Sequence, residues 1–181
     1  MIDKILPTRL LWVDLEMTGL DPANQRIIEV AALVTNFELK EIARYESVVR
    51  QPVSVLENAE EWPKQNMAEL FEKVKVAEKD EPTIIDELVS FIELNFPNEK
   101  AILAGNSISQ DRLFIKQWWK PVDDLLHYRM FDVSSFKVWI QGVSGEEYVK
   151  KKQHRALSDI EESIDELKWS LDKLTANNCK D

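Results

Sequence analysis

Asp14 and Glu16 stand two positions apart in "LLWVDLEMTGLD", residues 10–21, at the end of an apolar run. Side chains alternate along a strand, so both carboxylates point to one face, about 6.6–6.8 Å apart, while Leu11, Val13 and Leu15 take the other. Two ionised acids this close repel, and withdrawal from water raises the cost further. A divalent cation between them removes the conflict, and hard oxygen ligands suit Mg2+ or Mn2+. The competing reading is structural: Asp14 closes a strand and Glu16 already lies in solvent. Two carboxylates rarely make a catalytic metal site, so other acids near strand ends or helix starts matter. Asp111, in "LAGNSISQDRLF", follows a short apolar run and opens a helix, where the macrodipole alone would favour an acid. "KKQHRALSDIEESI" adds His154 and Asp159. Their spacing is not that of one helix face, but with His154 in a loop and Asp159 in a first turn both reach one pocket. Their ordinary alternatives are helix-start charge for Asp159 and a surface histidine beside three lysines for His154.

The elements that must position these groups follow from periodicity. Residues 10–15 predict a first strand, ended by the turn-like "TGLDPAN". "RIIEVAALVTNF" (26–37) and "EIARYESVVRQP" (41–52) predict two more, joined around Glu38 to Lys40. Short links between consecutive strands imply an antiparallel meander. Residues 55–96 read as helical, most clearly in "DELVSFIELNF", where Leu88, Phe91, Ile92 and Asn95 share a face. "AILAGN" (101–106) is a short buried strand, and "QDRLFIKQWWK" a helix stopped by Pro121. In the last helix Leu157, Ile160, Ile164, Leu167, Leu171 and Leu174 recur three and four apart. Ser158 with Glu161 matches a capping box, placing its start within 155–159. Residues 141–153, polar and holding two of the four glycines, read as a mobile loop, and 175–181 as a mobile tail. Asp132, in "MFDVSS", reads as the cap of a helix through "VSSFKVWI" and is a secondary candidate only. The pattern predicts one domain, 1–181, of layered α/β class.

Bulk composition narrows the function classes. The chain has 181 residues, 33 Asp plus Glu against 23 Lys plus Arg, and a net charge of −10. Such a surface repels long polyanions and argues against a protein that coats duplex nucleic acid, but not against an enzyme gripping a few phosphates. The single cysteine, Cys179, allows no intrachain disulfide. No secretory signal is visible, and no apolar run approaches the roughly 18 residues of a membrane span. The expectation is a soluble cytoplasmic protein without membrane partners.

"DLEMTGLD", "AGNSISQDR", "HYRMFDVSS" and "HRALSDI" resemble the four signature stretches of the oligoribonuclease family, from about residue 9 to about 174. Those enzymes are 3′→5′ exonucleases with three Asp, one Glu and a histidine on a ribonuclease H-like fold. The resemblance therefore implies a mixed central sheet that starts with the antiparallel three-strand meander and is flanked by helices. It implies Asp14, Glu16, Asp111 and Asp159 as ligands of two divalent cations, Mg2+ or Mn2+, and His154 as general base. Such a cation pair, about 3.5–4 Å apart, lowers the pKa of a water and stabilises the departing 3′ oxygen. The family further implies Leu20 as a wedge between two bases and Trp62 as a stacking platform. Ser107, Arg129 and Ser134 would cap a 5′ phosphate, with Tyr128 reaching in from the second subunit of a homodimer. Read without the family, Leu20 is a core residue, Trp62 is buried and Arg129 lies on the surface.

The chain departs from the family pattern in places. After Trp62 the usual histidine-containing segment ending in Ser-Gly-Leu is replaced by "PKQNMAELFEKVKV". "KVWIQGVSGEEY" also differs, and Ser158 stands where a second Asp is common. The expected activity is exoribonuclease action on very short RNA, above all 5′-phosphorylated diribonucleotides. The alternatives are a proofreading or end-trimming exonuclease on longer single strands, and a nucleotide-binding protein without turnover.

Overall fold

Two apolar runs and a more polar edge stretch near the start of the chain form β1 (Arg9–Met17), β2 (Ile27–Asn36) and β3 (Glu41–Val48), paired as the expected antiparallel meander. The structure, a computed structural model, describes residues 7–149 and 155–177. A short fourth strand, β4 (Ala101–Gly105), runs parallel to β1 and continues the sheet on its other side. The outer strand β5 (Leu126–Asp132) is parallel to β4 and completes a mixed sheet of order β3-β2-β1-β4-β5. β5 has no counterpart among the elements expected from periodicity. At the sheet edge only Leu126 is buried, so "LHYRMFD" carries no apolar alternation.

Between β3 and β4 lie α1 (Val53–Glu57), α2 (Glu61–Asn66), α3 (Ala68–Val76) and α4 (Glu81–Asn95). Asp80 caps α4 by accepting the Thr83 N–H. After β4 come α5 (Ser109–Trp118) and the single turn α6 (Lys120–Asp123). α5 thus ends before Pro121, which sits in the first turn of α6, where its missing N–H costs nothing. α7 (Ser134–Ser144) takes up part of the stretch expected to be a loop, and the left-handed Gly145 (φ 71°) stops it. The long α8 (Ala156–Asn177) closes the fold, so 175–177 are helical. Its first intrahelical bond runs from Asp159 N–H to Arg155 C=O. Ser158 is therefore inside the helix and forms no capping box, and Glu161 instead pairs with Arg44.

Strand parity sorts the core into layers. Leu11, Val13 and Leu15 pack with Ile84, Leu88 and Ile92 of α4 and with Phe114 and Ile115 of α5. Leu10 and Trp12 pack on the opposite face, with Ile160, Ile164 and Leu167 of α8. Asp14 and Glu16 share parity with Leu10 and Trp12, so they continue the α8 face. Trp12 fixes that face: it is fully buried, and its Nε1–H donates to Thr35 Oγ1 at 2.9 Å. Thr35→Val keeps the volume but strands a buried donor. A loss of about 1–3 kcal/mol in stability is expected, read from denaturant unfolding; an unchanged midpoint would contradict this packing.

Candidate active site

β1 loses its parallel partner early. β4 pairs with it only at Leu11 and Trp12, so the Leu15 N–H must find an acceptor elsewhere. It donates to Asp111 Oδ1 at 3.0 Å, which ties the first turn of α5 to the strand between the two acids. On the other side, Asp14 faces Ala31 and Glu16 faces Glu29 in β2. The small Ala31 leaves room above Asp14, and the first turn of α8 enters there. Carboxylate oxygens of Asp14, Glu16 and Asp159 come within 4.8 Å of one another. Asp111 stands beside this trio, buried, rather than within it.

Charge is crowded here. Burial, then the negative charges of Asp159, Glu29 and Asp111, push Glu16 up to about 8. Burial pushes Asp111 up to about 7, against the pull of the Leu15 N–H, with the Asp132 charge adding slightly. Carboxylates that resist ionisation in this way suit a hard divalent cation, which would stabilise the charged forms that the chain alone disfavours. The donor set, oxygen only, fits Mg2+ or Mn2+.

A cavity of about 470 Å³ opens over these acids and is lined by Asp14, Glu16, Asp111, Leu20, Trp62 and Ser107 among others. Leu20 and Trp62 are 69% and 53% exposed, so neither is a core residue. The Leu20 backbone is held at both ends: its N–H donates to Glu60 Oε1 at 3.2 Å, and its C=O accepts from Gln110 Nε2 at 2.7 Å. The adjacent Gly19 lets the Glu60 side chain approach, since a Cβ there would lie 2.4 Å from it. Glu60 also directly precedes α2, which carries Trp62. The segment that departs from the family pattern after Trp62 forms the end of α2 and all of α3, and its Pro63 and Met67 line the same cavity.

Ser107 and Ser134 lie together, hydroxyl to hydroxyl at 3.1 Å. Asp132 is the last residue of β5 and accepts the N–H groups of both Ser107 (3.0 Å) and Ser134 (2.9 Å). It thus serves the start of α7 as expected, and gathers a second loop as well. Tyr128 and Arg129 lie on the exposed edge strand, outside the cavity lining, with the Arg129 guanidinium 5.3 Å from the Tyr128 ring. His154 and residues 150–153 of the expected loop lie outside the described residues.

Two residues beyond the acid pattern hold this site together. Glu29, buried in β2, receives the Arg155 guanidinium at 2.7 Å and the Ala156 N–H at 3.2 Å. This pins the start of α8, and so Asp159, to β2, beside the strand carrying Asp14 and Glu16. The signal in the sequence was an acid inside the apolar run "IIEVAALV".

An exonuclease family model, RNase_T, matches residues 11–167. The chain is 43% identical over 171 residues to a probable oligoribonuclease of Caenorhabditis elegans, covering 92% of this chain and 88% of that one. It is 42% identical to the oligoribonuclease of Bordetella pertussis, covering 92% and 95%. The chain belongs to the oligoribonuclease family. Among solved structures, Exonuclease I of Methylocaldum szegediense superposes with a TM-score of 0.67 at 15% identity, over 89% of this chain and 40% of that one. Exonuclease I of E. coli in complex with a 5cy-dA13 oligonucleotide gives 0.64 at 14% identity, over the same 89% and 40%. The sheet and its flanking helices are thus a ribonuclease H-like exonuclease fold, and this oligoribonuclease-family chain spans less than half the length of those structural neighbours.

The crowded charge has a consequence for stability. An acid whose folded-state pKa is raised contributes to stability while protonated and loses that contribution as pH rises through the folded value. For Glu16 the window runs from 4.5 to about 8, and for Asp111 from 3.8 to about 7. In chelator, the melting temperature is expected to fall between about pH 5 and about pH 8, and added Mg2+ or Mn2+ to raise it more at the higher pH. A cation effect equal at both pH values would contradict the assignment.

Proposed function

We propose that the chain releases nucleoside 5′-monophosphates from the 3′ ends of very short RNA, above all 5′-phosphorylated diribonucleotides, working as a homodimer with two divalent cations. The observation that carries this reading is a cluster of carboxylates from β1 and α8, roofed by a cavity whose rim displays an exposed Leu20 and Trp62. Asp14, Glu16, Asp111 and Asp159 would hold the cations, which when bound supply a water of lowered pKa and charge neutralisation at the departing 3′ oxygen.

The chain's own residues would do the rest. Trp62 offers a flat face to one base, and Leu20, on its clamped backbone, separates the two. Ser107 and Ser134 would cap the 5′ phosphate, with Arg129 adding charge-assisted bonds. Tyr128, 75% exposed on the edge strand, is free to reach that cap on a second copy of the chain. His154, next in sequence to the anchored Arg155, accepts a proton from the attacking water, its ordinary pKa lying near working pH. The water oxygen joins phosphorus as the bond to the upstream 3′ oxygen breaks. A capped 5′ end leaves room for few nucleotides, so an acidic protein needs no broad basic surface.

The fold likeness to Exonuclease I supports a second reading, end-trimming of longer single strands. Length dependence separates the two. A chromatographic time course is expected to show diribonucleotides consumed at least tenfold faster than seven-residue oligomers; the reverse order would favour end-trimming. Asp14→Asn is expected to abolish hydrolysis of both, and undiminished turnover in that variant would remove the carboxylates from the chemistry.

A further inference from the structure

At the cavity wall a chain of polar groups runs from the buried Ser163 and Glu166 of α8 to the Ser107–Ser134 pair, and the half-buried Asn106, which itself lines the cavity, is its centre. Asn106 Nδ2 donates to Glu166 Oε2 at 2.8 Å and to Ser163 Oγ at 2.9 Å. With both of these donations made by Nδ2, Asn106 Oδ1 is turned toward Ser134, whose hydroxyl donates to it at 3.3 Å. Ser163 in turn donates to the carbonyl of Asp159 at 2.7 Å, one helical turn back. Glu166 is 1% exposed and Ser163 4% exposed. The Asn106 bond to Glu166 is therefore one that a carboxylate so buried would be costly to lose.

The residue after Asn106 shows what this network holds. Ser107 has φ 50°, the left-handed region, which a residue with a side chain keeps only where its surroundings impose it. The imposition is visible: Ser107 N–H donates to both Asp132 Oδ1 at 3.0 Å and Ser134 Oγ at 2.7 Å. Asn106 therefore links two places that a dinucleotide would touch at once. Through Ser163 it meets the helix turn that carries Asp159; through Ser134 it meets the hydroxyl pair. Both N–H bonds of its amide are spent inside the protein, so it is placed to position these groups rather than to bind substrate.

We propose that Asn106 is a positioning residue that fixes the separation between the carboxylate cluster and the Ser107–Ser134 hydroxyls, and so sets the preference for substrates carrying a 5′ phosphate one nucleotide upstream of the cut. The inference rests on the proposed diribonucleotide reading. Its test compares kcat and KM of wild type and Asn106→Ala on three substrates: a 5′-phosphorylated diribonucleotide, the same compound without that phosphate, and the p-nitrophenyl ester of thymidine 5′-monophosphate, which has a single phosphate. Wild type is expected to favour the phosphorylated dinucleotide at least tenfold. In Asn106→Ala that preference is expected to shrink to about twofold, while turnover of the single-phosphate ester stays within about twofold of wild type. Equal slowing on all three substrates, or an unchanged preference, would overturn the assignment. A wild type indifferent to the 5′ phosphate would overturn it at the level of the underlying reading instead. Should Asn106→Ala fail to fold, Ser163→Ala removes one acceptor of the same amide; it is expected to narrow the preference about threefold, and an unaltered ratio there would also overturn the assignment.

Discussion

Negative charge packed onto one face of an apolar sheet is the constraint around which this molecule is arranged. β1 must be hydrophobic to sit in the middle of a layered fold, yet it carries Asp14 and Glu16 on the side that meets α8. Two neighbouring acids show two responses to that constraint. Glu29 is neutralised from within, by the Arg155 guanidinium and the first N–H of α8. Glu16, directly opposite it, feels Arg155 only weakly and is pushed up to about 8 by burial and by other carboxylates. The fold thus contains both a charge it satisfies itself and a carboxyl whose charged form it disfavours.

The same arrangement explains why so few contacts position so much. Asp111 reaches the site by accepting the strand N–H between the two acids, and Asp159 arrives because Glu29 holds the start of α8. Around the rim, backbone is fixed so that side chains can be displayed. Leu20 is clamped by Glu60 and Gln110 while its side chain stands in solvent, and Ser107 is held in a strained conformation by Asp132 and Ser134. Exposed apolar groups and left-handed backbone are costs in a stable domain; Leu20, Trp62 and Ser107 carry such costs around a cavity that opens over the carboxylates.

Much of this was legible in the sequence, for identifiable reasons. Short strand-like stretches bounded by turn residues gave β1 to β3, and their short links gave the meander, because local patterning decides local pairing. The carboxylates of β1 were conspicuous because acids inside apolar runs are anomalous. β5 was invisible, since an edge strand with one buried residue has no alternation to read. The α8 start fell within the expected 155–159, but for a reason other than the capping box: Glu29, 127 positions from Ala156, supplies the acceptor for the first N–H that a local cap would have supplied. Without the family pattern Leu20 and Trp62 read as core residues, and their exposure at the cavity overturns that reading. The Asn106 network was hidden for the same reason as Glu29: it joins residues 57 and 60 positions apart.

The central claim is that carboxylates from three distant segments share cations. Mn2+ titration followed by electron paramagnetic resonance near pH 8 tests it without recourse to catalysis. The account predicts saturable binding of two ions per chain, strongly weakened by Glu16→Gln and by Asp159→Asn alike, because the two residues serve one site from opposite ends of the sequence. Binding that fails to saturate, or that survives both substitutions, would contradict it.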